Sequence, residues 1–253
     1  MNTHSFSLFR RISLIVLLGL VVGVTASAQG FFLRVGGGLA THSGSDPSRV
    51  VGAITGGLGY EYEFNQHLTI APTLSMYSKG WKDDDVQTPV IDDKTGEVRL
   101  DDFGNPVMST ANVAATANYL HFALPLRYYF RLGEGRYIYI GMGPYAALGV
   151  TGKLKVKGDG SAYEAAKYYY DAHTFGRDAQ SRRFDAGLQA AVGYQLVSGL
   201  RIGLEADFGL TNCNKAGAVT LQGVPRHPAR NVSGLLTLTY HFGKNDADTT
   251  FGQ

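Results

Sequence analysis

The chain has 253 residues, and its formal charge of +2 comes from Arg10 and Arg11, so residues 29–253 are formally neutral and carry no basic footprint for nucleic acid. Cys213 is the only cysteine, which excludes an intrachain disulfide and any multi-cysteine metal site. No histidine lies near it in sequence, so it reads as a small apolar loop residue and not as a nucleophile. The length suits one domain, and no Pro-rich or Ser-rich linker marks a second.

In chain order, the first element is a leader. Arg10 and Arg11 precede an apolar run from Ile12 to Val24, and Ala26-Ser27-Ala28 forms a small-x-small cleavage site before Gln29. The run is too short for a spanning helix, so residues 1–28 are read as a signal peptide and 29–242 as one barrel domain. The last eleven residues, Gly243 to Gln253, are read as a periplasmic tail.

From Phe31 onward, eight segments alternate apolar and polar residues with a period of two. The gaps between them run long, short, long, short, long, short, long: Thr41 to Arg49, Asn65 to Gln66, Gly80 to Thr116, Leu132 to Gly135, Gly152 to Arg182, Val197 to Gly199 and Asn212 to Arg230. Tight turns join antiparallel neighbours, so all three short gaps fall at one end of a sheet and the long ones at the other. That asymmetry predicts an all-β, eight-stranded antiparallel up-and-down barrel across an outer membrane, with short periplasmic turns, long external loops and both termini periplasmic.

The apolar face carries Phe31, Leu33, Val35 and Leu39 in the first segment, Ile54, Tyr60, Tyr62 and Phe64 in the second, and Leu120, Phe122, Leu126, Tyr128 and Phe130 in the fourth. A secreted barrel, greasy within and polar without, shows the same alternation. Lipid on the apolar side is favoured by aromatics near strand ends (Tyr62, Phe64, Tyr128, Phe130, Tyr194, Tyr240, Phe242) and by segments of about ten residues. The glycine and threonine content of the polar face also suits a narrow lumen. That face holds Arg34, Lys79, Arg127 and Arg201 with Glu61, Glu63, Asp185, Glu205 and Asp207. An eight-stranded barrel is just wide enough for side chains to fill it, so these nine residues are predicted to form an ionic plug in the lumen, not a conduction path.

The gap from Gly80 to Thr116 holds Asp83, Asp84, Asp85, Asp92, Asp93, Glu97, Asp101 and Asp102, without the spacing of an EF-hand, and is read as a solvated acidic loop in preference to a calcium site. The gap from Gly152 to Arg182 has Lys153, Lys155, Lys157, Lys167, Arg177 and Arg182 around Tyr163, Tyr168, Tyr169 and Tyr170. Such a loop can contact lipopolysaccharide phosphates or a partner protein, or pack over the barrel mouth against the acidic loop. His42, His173 and His227 lie in long loops near Ser43, Ser45, Asp46, Asp171 and Asp178, with no diagnostic spacing, so no catalytic residue, cofactor site or metal site is assigned. Asn231-Val232-Ser233 is a glycosylation sequon inside a predicted strand and is read as accidental.

Short motifs in consistent order add a resemblance. Tyr77-Ser78-Lys79-Gly80, Tyr119-Leu120 with Leu124-Pro125-Leu126, Gly143-Pro144-Tyr145, Asp185-Ala186-Gly187, Gly193-Tyr194 and Phe208-Gly209-Leu210-Thr211-Asn212 resemble the PorT-like outer-membrane barrel family of Bacteroidota. The resemblance implies an eight-stranded barrel, mostly without an assigned activity, one of whose members is implicated in type IX secretion and gliding. It also implies an aromatic assembly signal at the last strand, which Phe242 supplies, and a proline followed by glutamate in the third, where this chain has Pro72-Thr73. The expected function is a non-enzymatic integral outer-membrane protein with a structural or interaction role, contacting membrane lipid and possible envelope proteins. The alternatives are an accessory component of a secretion machine, and an outer-membrane enzyme or small-ligand barrel.

Overall fold

The computed structural model describes residues 30–44, 48–92, 94–133, 136–158, 173–176, 179, 181–196, 199–218 and 227–242. The leader and the tail lie outside the described residues. Eleven strands form one sheet: β1 (Phe31–Ser43), β2 (Val51–Tyr60), β3 (Tyr62–Glu63), β4 (Leu68–Ile70), β5 (Thr73–Pro89), β6 (Met108–Ala123), β7 (Leu126–Gly133), β8 (Arg136–Lys157), β9 (Phe184–Gln195), β10 (Leu200–Gly209) and β11 (Arg230–His241).

Three of the breaks are local. β2 and β3 are divided at Glu61, β4 and β5 at Ala71-Pro72, and β6 and β7 at Leu124-Pro125. Proline has no N–H to give the ladder, but its carbonyl still accepts: Tyr60 N donates to Pro72 O at 3.0 Å and Ala71 N to Pro125 O at 2.9 Å. Each pair is therefore one stave, and the sheet has eight staves. Antiparallel pairing of β1 with β11, from Phe32↔His241 to Ser43↔Arg230, joins first to last and closes the ring.

The tight connections gather at one end. Asn65 Oδ1 accepts from the N–H groups of His67 and Leu68, and Leu196 N donates to Leu200 O. At the other end three strands overrun the predicted boundaries at Gly80, Thr116 and Gly152. β5 continues to Pro89, β6 begins already at Met108, and β8 runs 22 residues to Lys157. The inward residues there, Trp81, Thr88, Ala111, Val113 and Ala115, stay buried while the outward ones turn polar. A reading keyed to an apolar outer face ends the strand where the lipid-facing side chains end, whereas the hydrogen-bond ladder continues.

The faces are sorted as a membrane requires. Leu33, Val35, Ile54, Met76, Leu120, Ile140, Met142, Leu204 and Leu236 point outward and are exposed, while Arg34, Lys79, Arg127, Arg201 and His121 point inward and are buried. A soluble barrel would invert this arrangement. On the inward face the neighbouring staves β1 and β11 come close enough at Gly38 to leave no room for a side chain. A Cβ on the inward Gly38 would overlap the Gly234 carbonyl, whereas one on the outward Gly52 meets open space. Gly38→Val is therefore expected to cost about 1–3 kcal/mol and to lower the temperature at which the compact electrophoretic form is lost. Gly52→Val should leave that temperature unchanged.

Candidate functional site in the barrel lumen

Glu61 organises the lumen at the tight-turn end. It sits where β2 gives way to β3, its backbone N–H donating to Gly30 O, which aims the carboxylate inward. Arg201 Nη1 lies 2.7 Å from Oε2, His241 Nδ1 lies 3.5 Å from the same oxygen, and Arg127 Nη1 lies 3.8 Å from Oε1. Thr69 Oγ1 and Tyr129 OH donate to Oε1 at 2.8 and 2.5 Å. The guanidinium groups also lie over aromatic faces, Arg201 above Tyr129 and Arg127 above Phe32 and Tyr139.

Above this layer, Arg34 Nη2 meets Glu205 Oε2 at 2.7 Å. Next comes Asp207, which accepts from Gln189 Nε2 at 3.1 Å and lies 3.4 Å from His121 Nε2, while Tyr77 OH donates to Ser233. The uppermost ion pair joins Lys79 to Asp185 at 3.1 Å, with the ammonium 4.9–5.2 Å from the ring centres of Tyr77, Tyr119 and Tyr145. Asp185 also accepts from Asn231, Tyr145 and Thr211. Trp81 and Phe175 cluster over the Lys79 layer with Tyr119 and Tyr145, and His42 stacks on Trp81 at 4.3 Å.

Eight of the nine residues expected in the lumen are thus buried there, four cations and four anions. Glu63 is the exception: it lies two residues beyond Glu61 at the rim and is only half-buried. Arg183, whose place in the alternation is on the polar face, is exposed before β9 and donates to Gly149 O. His121 and His241 join the network, although charge counting at neutral pH passes over them; the alternation places both on the inward face. Asn231 is buried on Asp185, so the sequon cannot be reached by a modifying enzyme.

The loop histidines do not assemble a reaction centre in what is described. His42 is on Trp81, His173 is exposed with its backbone bridged to Lys153, and His227 is exposed with its carbonyl accepting from Asn214. Ser45, Asp46, Asp171 and Asp178 lie outside the described residues, as do the tyrosines at 163 and 168–170. In the acidic segment, Asp92 caps Lys94 and Thr95, and Asp101 caps Phe103 and Asn105. The bond from the Asn105 N–H holds the Asp101 carboxyl below its usual value. These two carboxylates are engaged as turn caps, and among the described residues no three ligating side chains converge on a metal position. Asp93 and the side chains of Asp83, Asp84 and Asp85 lie outside the described residues.

A closed antiparallel ring with lipid-compatible side chains outside and paired ions inside defines an integral outer-membrane β-barrel protein. The chain belongs to the outer membrane protein beta-barrel domain family, whose model matches residues 10–214. No curated protein matches. Solved structures similar to this chain include Neisserial surface protein A at 12% identity, TM-score 0.40, covering 84% of this chain and 97% of the other. Ail, the attachment invasion locus protein of Yersinia pestis, gives 14%, 0.36, 84% and 98%, and OprG from Pseudomonas aeruginosa gives 11%, 0.39, 84% and 96%.

Two expectations follow from the site. Glu205→Leu alone strands a buried guanidinium and should cost about 3–5 kcal/mol in urea unfolding from lipid vesicles; Arg34→Leu/Glu205→Leu should recover most of that loss. Burial, reinforced by the charge of Asp185, pushes the Cys213 thiol up to about 12. Its thiolate fraction at pH 8 is then on the order of 10⁻⁴, so Cys213 should resist a thiol-disulfide dye until denaturant is added.

Proposed function

We propose that this protein is a non-enzymatic interaction component of the cell envelope that binds a partner through the tip of its β5–β6 hairpin. In this reading residues 1–28 are a removed leader, the long-strand end faces outward, and the termini with the tail from 243 to 253 lie in the periplasm. The sealed lumen acts as a rigid mount. The resemblance to PorT-like barrels supports an envelope role and motivates the narrower version, an accessory part of a secretion machine.

The observation that carries the proposal is Phe103, 90% exposed on a structured turn. Beyond Pro89 the chain folds into two small hairpins. Val90 N donates to Val107 O and Val90 O accepts from Arg99, so both hairpins are stitched to one strand. Asp101 caps the second turn, and Gly104 takes the left-handed φ of +80° that its sharpness demands. The turn thus holds an aromatic ring in water with exposed Val98 and Leu100 nearby in sequence. An exposed aromatic anchor on a fixed frame suits insertion into a partner's pocket. Asp92, Glu97, Asp101 and Asp102 against Lys94 and Arg99 give the tip a net negative charge, so a protein pocket with a basic rim fits, and a lipid phosphate surface does not.

A photo-crosslinking residue at position 103, irradiated in intact cells, is expected to give one dominant protein adduct that the same probe at Gln66, in the opposite-end turn, does not give. Equal patterns from both sites, or no adduct from 103, would refute the reading. Recovery of the adduct partner at stoichiometric levels in mild detergent would select the secretion-complex version.

A further inference from the structure

The same extension carries a second surface on its flank. Along β8 the outward residues are Ile138, Ile140, Met142, Leu148 and Val150, all exposed and apolar. At Val150 the pairing with β6 slips by one residue, from Tyr119↔Gly149 to Asn118↔Thr151. Beyond that bulge the outward residues become Thr151, Lys153, Lys155 and Lys157, and all three lysines are exposed. The register sets Thr116, Ala114 and Asn112 of β6 opposite the three lysines in turn. One strand further, Lys82 pairs with Ala114 and its backbone bridges to Arg49, and Asp83, Asp84 and Asp85 follow it on β5.

Neither β6 nor β8 contains an Asp or a Glu. The lysines therefore stand about 6.6 Å apart in a row beside amide, hydroxyl and methyl neighbours, repelling one another with no carboxylate on either strand. Such a row is stabilised by anions, which neither of these two strands supplies. Its height is set by the apolar band. Lys153 is three residues past Val150, about 10 Å along the strand, or about 8 Å above the hydrocarbon edge at a typical barrel tilt. That places Lys153 at the headgroup layer, with Lys155 and Lys157 about 5 and 10 Å higher, from where long lysine stems lean down toward it. The row also faces sideways, on the same side of β8 as the lipid-facing residues, where a membrane headgroup is the neighbour and a soluble protein is not.

We infer that Lys153, Lys155 and Lys157 form a docking ladder for the phosphate groups of a phosphorylated glycolipid in the outer leaflet. The lysines act as point charges and hydrogen-bond donors to phosphate oxygens, and Thr116 and Asn112 border the sugar. The ladder fixes the depth and rotation of the barrel and so aims the Phe103 tip. It rests on the outward orientation proposed above.

The full-length protein, reconstituted in phosphatidylcholine nanodiscs containing bis-phosphorylated lipid A, tests this by the lipid A retained after washing. Wild type is expected to retain roughly ten-fold more than Lys153→Gln/Lys155→Gln/Lys157→Gln, as three near-surface lysines allow after salt screening. The triple arginine variant should retain the wild-type amount, and lipid A stripped of phosphate should show no difference between the proteins. Equal retention by wild type and the glutamine variant, or of both lipids by wild type, overturns the inference. So does ladder-dependent binding of a soluble polyanion alone. A nanodisc exposes both leaflets, so this result is independent of orientation. Amine biotinylation of Lys94, exposed on the hairpin tip at the same end, reports orientation separately in intact cells: labelling supports an outward ladder, and protection overturns the outer-leaflet assignment.

Discussion

Closure of the β1–β11 ladder is the constraint on which everything else depends. In hydrocarbon each unpaired backbone N–H or C=O costs several kcal/mol, so an open sheet of this length has no stable place in a bilayer. The pairing from Phe32↔His241 to Ser43↔Arg230 removes both edges at once. The ladder tolerates Pro72 and Pro125 because their carbonyls still accept from the neighbouring stave.

Once the ring is closed, its small radius dictates the interior. Side chains fill the axis, and with leucines committed to lipid the filling is polar. Buried ions are costly unless each charge is neutralised and hydrogen-bonded. The lumen meets that demand with four cations against four anions, tyrosine faces for Lys79, Arg127 and Arg201, and amide or hydroxyl donors on Glu61, Asp185 and Asp207. The result is a rigid post. At one end the three long strands carry an acidic, apolar tip and a basic side on one scaffold. In the proposed reading one surface engages the membrane and the other a protein.

How much of this was readable beforehand differs by residue. The alternation of Tyr119, His121, Arg127 and Tyr129 against Leu120, Phe122, Leu126 and Tyr128 placed each side chain on its correct face, because strand geometry is a local property. The same logic failed beyond Gly80 and Gly152. There the outward residues meet water and not lipid, so polarity no longer separates a strand from a loop. Glu63 is only half-buried for a related reason: parity gives the face but not the height, and this residue lies close to the tight turn.

The sequence alone determined the number of staves, the two faces and the end at which the tight turns lie, since all three follow from a two-residue period and connector length. Tertiary structure alone decided which charge meets which. Lys79 and Asp185 are 106 residues apart, and Tyr77 and Ser233 are 156. Such partners are set by shear and closure of the ring, and those are properties of the assembled hydrogen-bond register, not of any one strand.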